Sequence, residues 1–226
     1  MTIETREQIW PYIKKISIVC DNEGWFDRHA LALCEYLRSK KHEVVLTRDT
    51  ADFCSGDIAL FLSCTKLVSL SVLEKHDWNF VVHASALPKG RGFSPLVWQI
   101  LEGVNRIPLT MIKMNSAADA GPVVNSSYVE FVGTELNNEM RERLGVEIVR
   151  MVLSVLEAPR PPIATQQKGQ TTWYRRRTPA DSELNVNKTI AEQFELLRTV
   201  DNDEYPAFFK FRGDEYVLKI EKRGRR

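Results

Sequence analysis

Short apolar runs alternate with amphipathic segments along the first half of the chain. Ile16-Ser17-Ile18-Val19-Cys20 reads as a buried strand. Trp25 to Lys40 reads as a helix, because Phe26, Ala30, Leu33 and Leu37 recur at steps of three and four. Glu43 to Thr47, the fully apolar Ile58 to Leu62, and Phe80 to His83 supply three more strands; Pro108 to Lys113 is a fifth, and Pro122 to Val132 a further extended stretch. Strands separated by helix-length segments predict right-handed crossovers and an α/β fold with a Rossmann-like, mostly parallel twisted sheet. Ligands of such open sheets sit beyond the carboxyl ends of the strands. Two segments leave those ends: Asp21-Asn22-Glu23-Gly24, and the chain from His83 onward.

Further along, Ser94 and Pro95 predict the cap and first residue of a short helix, Leu96 to Glu102, stopped by Gly103. Thr134 is the expected cap of a long helix with Leu136, Met140, Leu144, Ile148, Met151 and Val155 on one stripe, ending at Ala158-Pro159. Prolines at 159, 161 and 162 and the polar residues after them read as a linker. The expected organisation is a core over 1–158, a linker over 159–169 and a small α+β appendage over 170–226. In the appendage, Thr189-Ile190-Ala191-Glu192 is a capping box before a helix with Ile190, Phe194 and Leu197 facing inward. Tyr205 to Phe209 and Tyr216 to Ile220 are strand-like across Arg212-Gly213-Asp214. Phe208, Phe209 and Phe211 give that strand an apolar edge suited to a homodimer.

Composition narrows the classes. The 226 residues are 43% hydrophobic and 27% charged, which excludes a disordered chain. Lys+Arg 31 against Asp+Glu 30 leaves a net charge of +1, which argues against a nucleic acid polymer as partner. No run approaches the roughly 20 apolar residues of a membrane span. Met1 to Tyr12 carries Glu4, Arg6 and Glu7 and lacks an apolar h-region, so no secretory signal and a cytoplasmic location are expected. The four cysteines, Cys20, Cys34, Cys54 and Cys64, form no C-x-x-C pair and no zinc spacing; free, mostly buried thiols and no metal are expected. The basic tail, Lys222 to Arg226, reads as a solvated terminus.

Candidate chemistry gathers around His83. A strand exit, a Gly-rich loop (Leu87-Pro88-Lys89-Gly90-Arg91-Gly92-Phe93) and a helix start follow one another within a dozen residues. Lys89 and Arg91 beside a helix N-terminus favour an anion; a tight turn with two solvated charges fits the same pattern. Asp119 occupies a second loop. If the two side chains meet, Asp119 orients the imidazole and holds a proton on its far nitrogen, as general acid–base work requires. No G-x-S-x-G turn and no reactive cysteine setting is present, which suggests acid–base help for a nucleophile brought by the substrate.

His83-Ala84-Ser85-Ala86-Leu87-Pro88-Lys89-Gly90-Arg91-Gly92 resembles the His-x-Ser-x-Leu-Pro-x-x-Arg-Gly motif of folate-dependent formyltransferases. Asp119-Ala120-Gly121 matches that family's Asp-x-Gly, and Thr110 to Met114 is similar to the strand before it. After the linker, Arg176-Arg177-Thr178-Pro179-Ala180-Asp181 and Tyr205-Pro206-Ala207-Phe208 are similar to elements of the nucleotide-sugar N-formyltransferases. The resemblance implies transfer of a formyl group from 10-formyltetrahydrofolate to the 4-amino group of a nucleotide-linked amino-dideoxysugar. Such products enter surface glycans such as lipopolysaccharide, or nonulosonic acids such as pseudaminic acid.

By the same resemblance, His83 and Asp119 are the catalytic pair. Phe61, Leu62, Ser63, Cys64, Leu87 and Asp119 line the folate site. Lys89, Arg91, Arg176 and Arg177 meet the nucleotide, Tyr205 or Trp173 stacks on its base, and Asn22 and Trp25 touch it. One position departs from the family, which has an oxyanion-binding Asn two residues before the His; here it is Val81. Asn79 lies on the same strand face but ~13 Å away, so either another donor substitutes, with Asn115 and Ser85 the nearest, or the activity is reduced, or a divergent branch uses His83 alone. The departure also motivates a non-catalytic folate or nucleotide-sugar binder. A purine-pathway formyltransferase is a further alternative, disfavoured by the Tyr205-Pro206-Ala207-Phe208 element, and a tRNA formyltransferase another, disfavoured by the balanced net charge and the small size of the region after the linker.

Overall fold

The computed structural model describes residues 10–224. The opening charges Glu4, Arg6 and Glu7 and the final Arg225 and Arg226 lie outside them. Six strands form one sheet: β1 (Lys15–Val19), β2 (Glu43–Thr47), β3 (Gly56–Phe61), β4 (His76–His83), β6 (Arg106–Lys113) and β7 (Val123–Glu130), in the order β2-β1-β3-β4-β6-β7. The pairs among the first four are parallel, while β6 is antiparallel to both neighbours. The crossover into β6 carries only the strand β5 (Arg91–Gly92) and the short helix α3 (Pro95–Leu101), and returns the chain alongside β4 in the opposite sense.

Two long helices cover the sheet. In α1 (Asp27–Ser39) the predicted stripe of Ala30, Leu33 and Leu37 is buried, together with Phe26 at the cap. In α4 (Asn137–Leu156) Met140, Leu144, Ile148, Met151 and Val155 are buried. Both stripes join one apolar cluster with Ile16, Ile18, Leu60 and Phe80 of the strands. A second cluster contains Val19, Phe53, Ala59, Phe61 and Leu73 of the short helix α2 (Leu70–Leu73), with Val81 packed against it.

Three local expectations need correction. Thr134 does not cap α4. The buried Glu135 carboxylate accepts the backbone N–H groups of Val132, Gly133 and Thr134, and the helix starts after Leu136, whose N–H goes to Glu139. Ser94 does precede Pro95 of α3, but it adopts φ +51° and its hydroxyl makes no capping bond. The Thr189–Glu192 capping box forms, but it opens a 3-10 turn (Ala191–Gln193) before α5 (Phe194–Thr199), and Ile190 is exposed rather than inward.

The segment after α4 is hydrogen-bonded to the sheet. Thr165 exchanges both backbone bonds with Val123 at 2.7 and 2.8 Å. β8 (Trp173–Tyr174) then runs parallel to β5. Beyond it a hairpin of β9 (Ala207–Phe211) and β10 (Asp214–Leu218) packs with α5 around Leu184, Leu197, Val200 and Ala207. Among the described residues no helix is long and apolar enough to cross a membrane. All four cysteines are free; Cys20 and Cys34 are buried, but Cys54 is exposed, so the thiols are not uniformly interior.

Candidate active site

His83 ends β4 beside Thr110 of the antiparallel β6. The Thr110 hydroxyl donates to the Ser85 carbonyl and accepts from the Leu87 N–H, which pins the chain leaving His83. Two glycines then let that chain fold back. Gly90 has φ +75° and Gly92 φ +99°, and a Cβ on Gly92 would collide with the Tyr174 carbonyl of β8. Thr172 accepts the Gly90 N–H at 2.8 Å, so β8 closes over the loop.

These contacts orient the imidazole. His83 Nε2 lies 2.8 Å from the Gly90 carbonyl. A carbonyl can only accept, so Nε2 carries a hydrogen and the neutral ring presents its lone pair at Nδ1. Nδ1 faces Asp119 Oδ1 at 3.6 Å. The far nitrogen therefore holds its proton because of Gly90, not because of Asp119 as the sequence suggests. Asp119 is set independently: its Oδ2 accepts the Gly92 N–H at 2.9 Å, and its backbone adopts φ +52°. The loop between β6 and β7 leaves β6 at Lys113, opposite Phe80, and folds back to bring Asp119 to His83. Both side chains are largely buried, 9% and 18% exposed, and present two acceptors across a gap too wide for a direct hydrogen bond.

The other predicted residues distribute around this pair. Val81 is half-buried against the Val19 cluster. Asn79 does not supply a donor in place of Val81, because its amide donates to the Leu73 and His76 carbonyls. Asn115 is exposed, and its Oδ1 accepts the Ala117 N–H in a local turn. Ser85 is 2% exposed, beneath the Gly90 turn, with no hydrogen-bond partner for its hydroxyl.

Phe61 and Leu62 are core side chains, which leaves Ser63 and Cys64 as the accessible part of the third-strand exit. Ser63, at φ +57°, accepts from Asn22 at 3.4 Å. Asp21 binds the Thr65 and Lys66 N–H groups at 2.7 and 2.6 Å and clasps the two strand exits together. Trp25 packs edge-on against Phe26, and Leu87 is buried.

Beside the Gly-rich loop, arginines stack on aromatic rings. Arg91 lies over Trp173, Arg175 over Trp98, and Arg176 over the exposed Phe93. Lys89 is exposed. Arg177 is half-buried and donates to the Asp181 carbonyl, and burial pulls its pKa down. The contacts of Tyr205 lie elsewhere, with Asp201 and Ser182 of the C-terminal region. The residues missed in sequence are Gln167, Thr110 and Thr172. Each acts through hydrogen bonds to loops distant in the chain, which no local pattern announces.

No family model matches the sequence. Solved structures do match the fold. A methionyl-tRNA formyltransferase from Clostridium thermocellum superposes with a TM-score of 0.78 at 22% identity, over 93% of this chain and 95% of that one. HypX from Aquifex aeolicus in complex with tetrahydrofolic acid gives 0.72 at 16% identity, over 92% of this chain but 37% of that one. A sugar N-formyltransferase from a Shewanella species gives 0.67 at 14% identity, over 94% of this chain and 99% of that one. The fold of this chain is therefore that of the formyltransferase structures, an α/β architecture.

Proposed function

We propose that the chain is an N-formyltransferase that uses 10-formyltetrahydrofolate and an amino sugar linked to a nucleotide. The observation that carries this reading is the pair of acceptors, His83 Nδ1 and Asp119 Oδ1, held 3.6 Å apart by the Gly90 carbonyl and the Gly92 N–H. An amine has the hydrogens to meet two acceptors, and its lone pair stays free for attack. Attack on the formyl carbon forms a C–N bond and a tetrahedral oxyanion. His83 Nδ1 takes one amine proton, and the imidazolium is stabilised by the adjacent carboxylate. Collapse breaks the bond to the folate nitrogen, which receives that proton. Amine and formylfolate become formamide and tetrahydrofolate, with atoms and charge balanced.

Support for the folate comes from the fold shared with a tetrahydrofolic acid complex, and for the sugar from the fold shared with a sugar N-formyltransferase. The exposed Trp173 and Phe93, each with an arginine (Arg91 and Arg176) stacked over its ring, suit a base and a diphosphate. A site at the 4-amino position and a surface-glycan product are parts of the same proposal.

The test is incubation of the purified protein with 10-formyltetrahydrofolate and a panel of nucleotide-linked 4-amino-4,6-dideoxysugars, read by mass spectrometry. A formylated sugar is expected, and His83→Ala and Asp119→Ala should each lower kcat about 100-fold or more. Formylation of methionyl-tRNA instead would reassign the acceptor. Val81 favours one other reading: an apolar side chain stands where an oxyanion donor worth ~2.7–4 kcal/mol is expected, as in a binding protein that has lost turnover. Tight folate binding by calorimetry with no product from any acceptor would select it.

A further inference from the structure

One side chain of the segment between α4 and β8 grips the loop that carries Asp119. Gln167 Nε2 donates to the carbonyl oxygens of Asp119 and Gly121, both at 2.8 Å. Its Oε1 accepts from Arg91 Nη2 at 2.6 Å. Only this amide orientation is chemically sensible. The flipped amide would set its oxygen against two carbonyls and its N–H groups against a guanidinium that only donates. Thr165, two residues earlier, is fixed by its paired backbone bonds to Val123, so Gln167 is delivered from an anchored segment.

The loop needs such a support. Asp119 sits at φ +52°, a region costly for a residue with a side chain, and a Cβ on Gly121 would overlap the Lys113 carbonyl. Arg91, at the other end of the carboxamide, has its Nε buried without a partner. Its guanidinium bonds Gln167 and stacks on the Trp173 ring.

We propose that Gln167 is a positioning residue that acts through Asp119. Its carboxamide holds the Asp119 backbone in place beside His83 and ties that loop to Arg91, so the group facing the amine and the group facing the substrate's anionic part share one support. This inference rests on the acyl-transfer reading.

Three full-length variants test it. Gln167→Ala and Gln167→Met remove all three bonds and should lower kcat about 10- to 100-fold with the KM for folate unchanged. Gln167→Glu keeps an acceptor for Arg91 but has no donor while ionised. The Arg91 guanidinium keeps that carboxyl ionised near neutral pH and sets its charge against two carbonyls, so Gln167→Glu should lose at least as much kcat as the similarly sized Gln167→Met. A crystal structure of Gln167→Ala should show the Asp119 carboxylate turned from His83.

Variants within about twofold of an active wild type overturn the inference. So does a loss carried by the KM for folate rather than by kcat, or a loss of rate that merely tracks a lower Tm. A wild type that transfers no formyl group overturns the acyl-transfer reading instead, and the Gln167→Ala structure then decides this one: unchanged Asp119 geometry removes it.

Discussion

Gly92 carries two constraints on one residue. Its N–H aims the Asp119 carboxylate, and its φ of +99° leaves no room for a Cβ beneath the Tyr174 carbonyl. Gly92→Ala should therefore break the contact between β5 and β8 and release Asp119, lowering kcat about 100-fold. Steady-state kinetics on the folded variant check this, and a rate near wild type would mean that Asp119 is held without Gly92. Cys20 and Cys64 show the opposite case, chemistry-capable side chains that packing silences. Burial pushes both thiols up to about 12, so neither is a thiolate nucleophile at neutral pH.

At the scale of elements, β8 and the turn after it form the wall over the Gly-rich loop. That wall is fastened by Asp181, which accepts from Arg175 and from the Thr178 N–H and hydroxyl. The Arg175 guanidinium holds the Asp181 carboxyl well below the usual carboxylate range. A folded pKa depressed in this way stabilises the fold above the unfolded value of about 3.9, and the contribution fades as pH falls through the folded one. Asp181→Asn should lower stability near neutrality and flatten the acid limb of the curve, with the variant and wild type converging at the acid end. Denaturant midpoints measured across pH decide it; an acid limb identical to wild type would assign the fastening to other groups. Tyr174 strengthens the same wall by stacking on Trp98 and donating to Glu102 at 2.9 Å.

At the scale of the molecule, the C-terminal cluster joins the main sheet through Arg198. This side chain is fully buried and bonds Glu195 at 2.6 Å and Asn105 at 2.5 Å, with the buried Glu135 carboxylate 3.9 Å away. Removing one partner of such a network leaves desolvated charge uncompensated. Arg198→Ala should cost about 3–5 kcal/mol and split or broaden the unfolding transition as α5 and its hairpin detach. Calorimetry reads both effects, and an unchanged single transition would place the coupling in apolar contacts.

The alternation of apolar runs, the stripes of α1 and α4, the strand exit at His83 and the loop holding Asp119 were all legible in the chain. They depend on local periodicity and on residues close in sequence, where side-chain spacing alone dictates the face that is buried. The reversal of β6, the closing of β8 over Gly90 and the grip of Gln167 were not. Each depends on hydrogen bonds between segments tens of residues apart, such as Gln167 to Asp119 and Thr172 to Gly90. Their partners are brought together only after the sheet has assembled, so no window of sequence contains both halves of the contact.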